Sequence, residues 1–252
     1  MPKRPTLLLS LFVLILLTAT AKTLAQADVI EPREVYDADS PDWLRAVGKL
    51  EVPGHQYHSG YRKHQKEDCS GTLVAPSPNS ARADVVITAW HCLEFYGDLS
   101  RPILFTLLPG SENAITREAY RLADGGGMHA DWALLKLMQP VSASQVQGLT
   151  PHPDRATERE PVTMAGYSGD SGLGAEGSVL TYHPNCRITR QDQRESESDC
   201  SAYKGASGGA VVQVSGDGQA RYSGVISRGD SSAISIYVPV TGFRLALKQA
   251  LN

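Results

Sequence analysis

Between Trp43 and Val240 the chain alternates short apolar runs with clusters of glycine, proline, serine and aspartate, and this rhythm narrows the possible folds most. The runs are Leu44–Val52, Ser70–Ala75, Val85–Ala89, Ile103–Leu108, Trp132–Met138, Val162–Tyr167, Val179–His183, Ala210–Val214, Tyr222–Ser227 and Ile234–Val240. They are short and rich in β-branched and aliphatic side chains, as strands are. Segments such as Pro76-Ser77-Pro78-Asn79 and Asp124-Gly125-Gly126-Gly127 supply the turns between them. Many short strands with turn signals between them predict an all-β sandwich or barrel. Only the C-terminus breaks the pattern. There Phe243, Leu247, Ala250 and Leu251 recur at helical spacing, with Thr241 placed to cap a helix on the outside of the β core.

Lys3 and Arg4 precede an apolar run, Leu7–Leu17, which is followed by small residues ending in Ala25-Gln26-Ala27. A basic start, a short apolar stretch and an A-x-A site predict a secretory signal peptide over residues 1–27. The apolar run is too short to span ~30 Å of hydrocarbon comfortably. The expected product is therefore secreted or periplasmic, with no membrane attachment after cleavage. Residues 28–42, rich in acid and proline, read as an extended leader or short pro-segment. The 252 residues allow one or two compact domains. A net charge of −3 gives no electrostatic footing for nucleic acid. A monomer is expected.

In an oxidising compartment four cysteines argue for disulfides rather than thiolate metal sites. Cys69, Cys92, Cys186 and Cys200 permit three pairings, of which Cys69–Cys92 with Cys186–Cys200 is the simplest. His91 and Cys92, being adjacent, lack zinc-ligand spacing. His55, His58 and His64 lie close together in a polar stretch that reads as a solvated loop. No metal or cofactor is assigned, and nothing identifies ligands for a structural calcium ion.

Acyl transfer by serine needs a hydroxyl on a tight turn, an imidazole to take its proton, a carboxylate to orient the imidazole, and N–H groups facing the developing oxyanion. Ser207, in Lys204-Gly205-Ala206-Ser207-Gly208-Gly209-Ala210, supplies the hydroxyl, with Gly205 and Ser207 N–H as the oxyanion donors. His91 ends the apolar run Val85–Ala89, where a disulfide through Cys92 would hold it rigid. Asp131 sits at the lip of Trp132–Met138, and burying it is costly unless it is hydrogen-bonded.

Three motifs in the order His, Asp, Ser resemble the trypsin-like serine peptidase family. They are Thr88-Ala89-Trp90-His91-Cys92, Asp131-Trp132-Ala133-Leu134-Leu135 and Gly205-Ala206-Ser207-Gly208-Gly209. Cys69-Ser70-Gly71-Thr72-Leu73-Val74 resembles the strand carrying the histidine loop's disulfide partner. Tyr222 to Gly229 resembles the strand that binds the substrate backbone, and Pro239 to Leu251 suits the terminal helix. The resemblance implies two antiparallel six-stranded β-barrels with a C-terminal α-helix. Residues 43–145 would form the first, bearing His91 and Asp131, and residues 146–252 the second, bearing Ser207. It implies a serine endopeptidase acting on proteins or peptides with His91, Asp131 and Ser207 as its triad.

Ala206 stands where animal digestive members carry an aspartate, so the chain looks closer to bacterial members, near the glutamyl-endopeptidase-like group. By the same geometry Ser201 forms the floor of the S1 pocket, with Gly229 on one wall and Ser227 and Arg228 beside the substrate. Asp199 stands near that floor, and Ile226 replaces the histidine that strict glutamate selection would need. No preferred residue follows. An inactive homologue used as a secreted binding module is the alternative, though such proteins typically lose a triad member. An α/β-hydrolase also fits Gly-x-Ser-x-Gly, but its histidine follows the serine, and none follows Ser207.

Overall fold

The computed structural model describes residues 31–97 and 100–252. The signal peptide expected over residues 1–27 lies outside the described residues. Ahead of the first lobe is a short strand, β1 (Glu34–Val35). The first lobe is built from β2 (Val47–His58), β3 (Tyr61–Val74), β4 (Arg82–Thr88), β5 (Ile103–Leu107), β6 (Ile115–Asp124) and β7 (Ala133–Ser142). These close into a barrel in the order β2-β3-β4-β7-β6-β5. Leu50, Leu73, Val86, Phe105, Leu107 and Leu135 share one face and are fully buried, and Ile87 and Leu134, on the opposite face of β4 and β7, are fully buried as well. Each contributes about 1.5–3 kcal/mol by leaving water.

The second lobe contains β8 (Thr150–Pro151), β9 (Val162–Gly166), β10 (Thr181–Cys186), β11 (Ile188–Gln191), β12 (Ser196–Ser198), β13 (Ala210–Val214), β14 (Ala220–Gly229) and β15 (Ser235–Pro239). With β1 they form a nine-stranded sheet ordered β1-β10-β9-β13-β14-β15-β12-β11, with β8 beside β14. This sheet curls as a half-barrel instead of closing like the first. The whole is a nearly all-β, chymotrypsin-like fold. Residues 34–35 belong to its sheet, pairing in register with Tyr182 and Thr181 of β10.

Besides the very short β1, β8, β11 and β12, two longer strand regions lie where the sequence pattern shows little. β2 and β3 pair without a break from Val47↔Thr72 to His58↔Tyr61, so the histidine-bearing stretch expected to be a loop is a long two-stranded ribbon. Its outer part has polar residues on both faces, which removes the period-2 signal. Among the described residues no group able to hold a metal includes His55 or His64. β6 likewise buries only Ile115 and Ala119, and its remaining side chains are polar or face outward.

The one α-helix, α1 (Arg244–Leu251), starts after Phe243, and no side chain caps it. Thr241 lies instead in the preceding 3-10 turn, Val240–Gly242, so it is not the cap. Tertiary contacts replace capping. Phe243 stacks on Trp132 with ring centroids 5.3 Å apart, and Arg244 donates to the carbonyls of His152 and Asp154, each at 3.0 Å. Among the described residues no helix is long and apolar enough to cross a membrane.

Candidate active site

β4 ends at Thr88, and the chain turns through a short 3-10 segment, Trp90–Leu93, that carries His91. The Cys69–Cys92 disulfide ties this turn to β3. Asp131, fully buried ahead of β7, grips the histidine twice. Its Oδ1 accepts from the His91 backbone N–H at 2.9 Å, and its Oδ2 meets His91 Nδ1 at 2.8 Å. A third donor, the Ser227 hydroxyl, reaches Oδ2 at 2.5 Å. Burial alone would push the Asp131 carboxyl up, but the hydrogen bonds from His91 and Ser227 hold it below the usual carboxylate range. An ionised carboxylate can only accept, so Nδ1 carries the proton and Nε2 is left as the basic nitrogen.

Ser207 lies in the turn ahead of β13, partly exposed. Its carbonyl accepts from Ser70 N–H at 2.8 Å and lies 3.8 Å from Cys92 Sγ, so this turn abuts the histidine turn. Gly208 is at φ +83°, and a Cβ there would come within 2.2 Å of both Ser70 O and Thr88 Oγ1, so only glycine fits. Gly205, at φ +97°, would likewise drive a Cβ to 2.5 Å from Tyr167 O. Within the turn, Ala206 N–H donates to Tyr203 O, Gly208 to Ile226 O and Gly209 to Ala206 O. Among the described residues, Gly205 and Ser207 N–H make no such backbone bond. Lys204 O accepts from Gly169 N–H at 2.6 Å, which turns the Lys204–Gly205 carbonyl one way and, across a trans peptide, the Gly205 N–H the other. Among the described residues no hydrogen bond joins Ser207 Oγ to the His91 ring; such bonds commonly tighten only when substrate is in place.

The residues expected around S1 occupy distinct positions. Ser201 follows the Cys186–Cys200 disulfide, and its N–H donates to His183 Nδ1 at 2.8 Å while its hydroxyl donates to Ser232 O. Gly229 ends β14 opposite Ser235. The β14–β15 register shifts between Ile226 and Arg228, and Ser227, between them, has its hydroxyl on Asp131. Arg228 is paired with Glu195 at 2.5 Å, and the Asp199 carboxylate is held by Arg187 at 2.9 Å. The two groups of potential metal ligands, Cys69/His91/Cys92 and His183/Cys186/Cys200, both contain disulfide sulfurs, which carry no thiolate.

Two residues of the site carry no sequence signal for their part in it. Ser70, fully buried on β3, donates its hydroxyl to Gly205 O and receives Tyr167 N–H, both at 2.8 Å. Arg33 packs behind the Ser207 turn. Ser70 falls within the run Ser70–Ala75 and the motif that begins at Cys69, but neither that pattern nor anything around Arg33 marks a part in the site; only the tertiary fold brings them there.

A closed β-barrel facing a curled β-sheet, with a buried carboxylate holding a histidine near a glycine-rich serine turn, is the architecture of chymotrypsin-like hydrolases. Residues 69–218 match the model of the trypsin-like peptidase domain, and the chain belongs to that family. Solved structures share its fold at low identity. A thermostable serine protease, AL20, from an extremophilic microorganism superposes with TM-score 0.59 at 17% identity, covering 83% of this chain and 98% of its own. The Rv3671c protease of M. tuberculosis, in its active form, gives 0.57 at 16%, covering 82% and 81%. A serine endoprotease from Yersinia pestis gives 0.56 at 15%, covering 83% and 64%. No curated protein matches the sequence. Family and fold support a peptidase, a hydrolase acting on protein or peptide substrates.

Proposed function

We propose that the chain is an exported serine endopeptidase in which His91, Asp131 and Ser207 form the catalytic triad. The observation that carries this reading is the buried Asp131 carboxylate bonded to both the backbone and ring of His91, with Ser207 on the abutting turn. His91 Nε2 takes the Ser207 hydroxyl proton as Oγ bonds to the scissile carbonyl carbon. The electron pair of that carbonyl moves onto oxygen, which Gly205 and Ser207 N–H stabilise. The imidazolium, steadied by Asp131, then protonates the leaving amine as the C–N bond breaks. Water, deprotonated by His91, hydrolyses the acyl-enzyme and frees Ser207. No step calls on a cofactor. The two disulfides suit an oxidising compartment, in keeping with secretion or a periplasmic location.

The test treats the purified protein and its Ser207→Ala variant with a fluorophosphonate probe and a peptide library. Labelling and cleavage that disappear in the variant are expected, and the cleaved sites define the S1 preference. Silence from a folded wild-type protein would overturn the reading in favour of an inactive binding module.

A further inference from the structure

Arg33 lies ahead of every catalytic segment, yet it is only 5% exposed. Its guanidinium forks onto Asp170, Nη1 to Oδ1 at 2.8 Å and Nη2 to Oδ2 at 3.0 Å. Its Cζ sits 4.0 Å from the centre of the Tyr203 ring. The backbone that delivers it is fixed, because β1 pairs with β10 and Tyr182 Oη donates to Glu34 at 2.5 Å. A two-pronged pair with so little water around it, completed by an aromatic face, is a specific seat for arginine.

Both partners of Arg33 belong to the segments that orient the Lys204–Gly205 peptide. Asp170 follows Gly169, whose N–H holds the Lys204 carbonyl, and it also accepts from Gly174 N–H at 3.3 Å, closing its own loop. Tyr203 precedes Lys204, and its carbonyl accepts from Ala206 N–H at 3.0 Å. Arg33, Ser168, Ser201 and Ala206 share one small cavity behind the nucleophile turn. Ala206 brings no charge with which the turn could anchor itself. The guanidinium thus joins the two sides of the bond that fixes the peptide. If that peptide turned over, the Lys204 carbonyl would replace the Gly205 N–H, exchanging an oxyanion donor for a repulsive dipole.

We propose that Arg33 is a positioning residue for this enzyme: clamped between Asp170 and Tyr203, it holds the Lys204–Gly205 peptide in the orientation that presents Gly205 N–H to the oxyanion. The inference rests on the endopeptidase reading above. It makes the segment around residue 33 part of the working enzyme, so trimming the chain beyond Arg33 lowers activity instead of releasing it.

The test compares wild type with Arg33→Ala, Arg33→Lys and Tyr203→Leu, following fluorophosphonate labelling rate and kcat and KM on a nitrophenyl ester. Arg33→Ala is expected to lose about ten- to a hundredfold in labelling rate and kcat, less than the roughly 10²–10³ that outright removal of an oxyanion donor costs, with KM little changed. Added guanidinium at low millimolar concentration should restore part of the loss. Arg33→Lys, which keeps the charge but not the fork, should fall between the two. Tyr203→Leu leaves no unpaired charge, so it carries the test if Arg33→Ala does not fold, and it too should slow labelling. A folded Arg33→Ala or Tyr203→Leu that labels at the wild-type rate, or a loss confined to KM, would overturn the inference while the endopeptidase reading stands. A wild-type protein that never labels would overturn both.

Discussion

Asp131 concentrates the chemistry of the site in two oxygens. One is committed to the His91 backbone and the other is shared by the His91 ring and Ser227. An asparagine could not accept from all three donors, and its amide would favour the wrong imidazole tautomer. On the proposed mechanism Asp131→Asn should lower kcat by about 10³–10⁴ while the protein stays folded. The same contacts make a prediction about acid. The folded Asp131 carboxyl lies below its usual value, so below about pH 4 the unfolded chain binds the extra proton. The stability Asp131 contributes is therefore present above that pH and lost as pH falls through the folded value. Denaturant midpoints should vary less with acid in Asp131→Asn than in wild type; equal slopes would remove Asp131 from the acid response. At this scale the sequence marks residues that sit in contiguous motifs, as His91, Asp131 and Ser207 do. Ser227 was legible only as a substrate neighbour, because its hydroxyl bond to Asp131 joins segments of different lobes.

Among the elements, the two disulfides do different work. Cys69–Cys92, 23 residues apart in sequence, holds the histidine turn on β3, and Cys186–Cys200, 14 apart, sets the backbone just ahead of Ser201. Loop-closure entropy gives each about 3 kcal/mol. Cys69→Ala/Cys92→Ala should lose that much stability and chiefly lower kcat. Cys186→Ala/Cys200→Ala should lose a similar amount and chiefly raise KM. Chemical denaturation with steady-state kinetics separates the two, and identical kinetic effects would refute the division. The simplest pairing read from sequence is the one formed. The strands that sequence missed are β1, β8, β11 and β12, each only two to four residues long, together with β6 and the outer ribbon of β2 and β3, whose exposed faces leave no alternation to read. The terminal helix was visible from its apolar spacing, but its start was not, because Phe243 anchors it by stacking on Trp132.

For the whole molecule the decisive contact is the seam between the lobes, and Ser70 crosses it. From β3 of the barrel, its N–H holds Ser207 O, its hydroxyl holds Gly205 O, and its oxygen receives Tyr167 N–H, all at 2.8 Å. Thr88 in turn donates to Ser70 O at 2.8 Å, linking the end of β4 to the same point. One buried serine thus fixes the Ser207 turn relative to the strand that delivers His91. Ser70→Ala keeps the backbone bonds but leaves Tyr167 N–H and Gly205 O without this partner in a water-poor seam. The expected cost is about 1–3 kcal/mol of stability. Because Gly205 belongs to the proposed oxyanion site, kcat should fall as well, with KM little changed. If stability moved by less than about 0.5 kcal/mol, the range of an ordinary surface change, and kcat held, the seam would not depend on this hydroxyl. A drop in both would tie the rigidity of the cleft to a residue whose motif marks only the cysteine beside it.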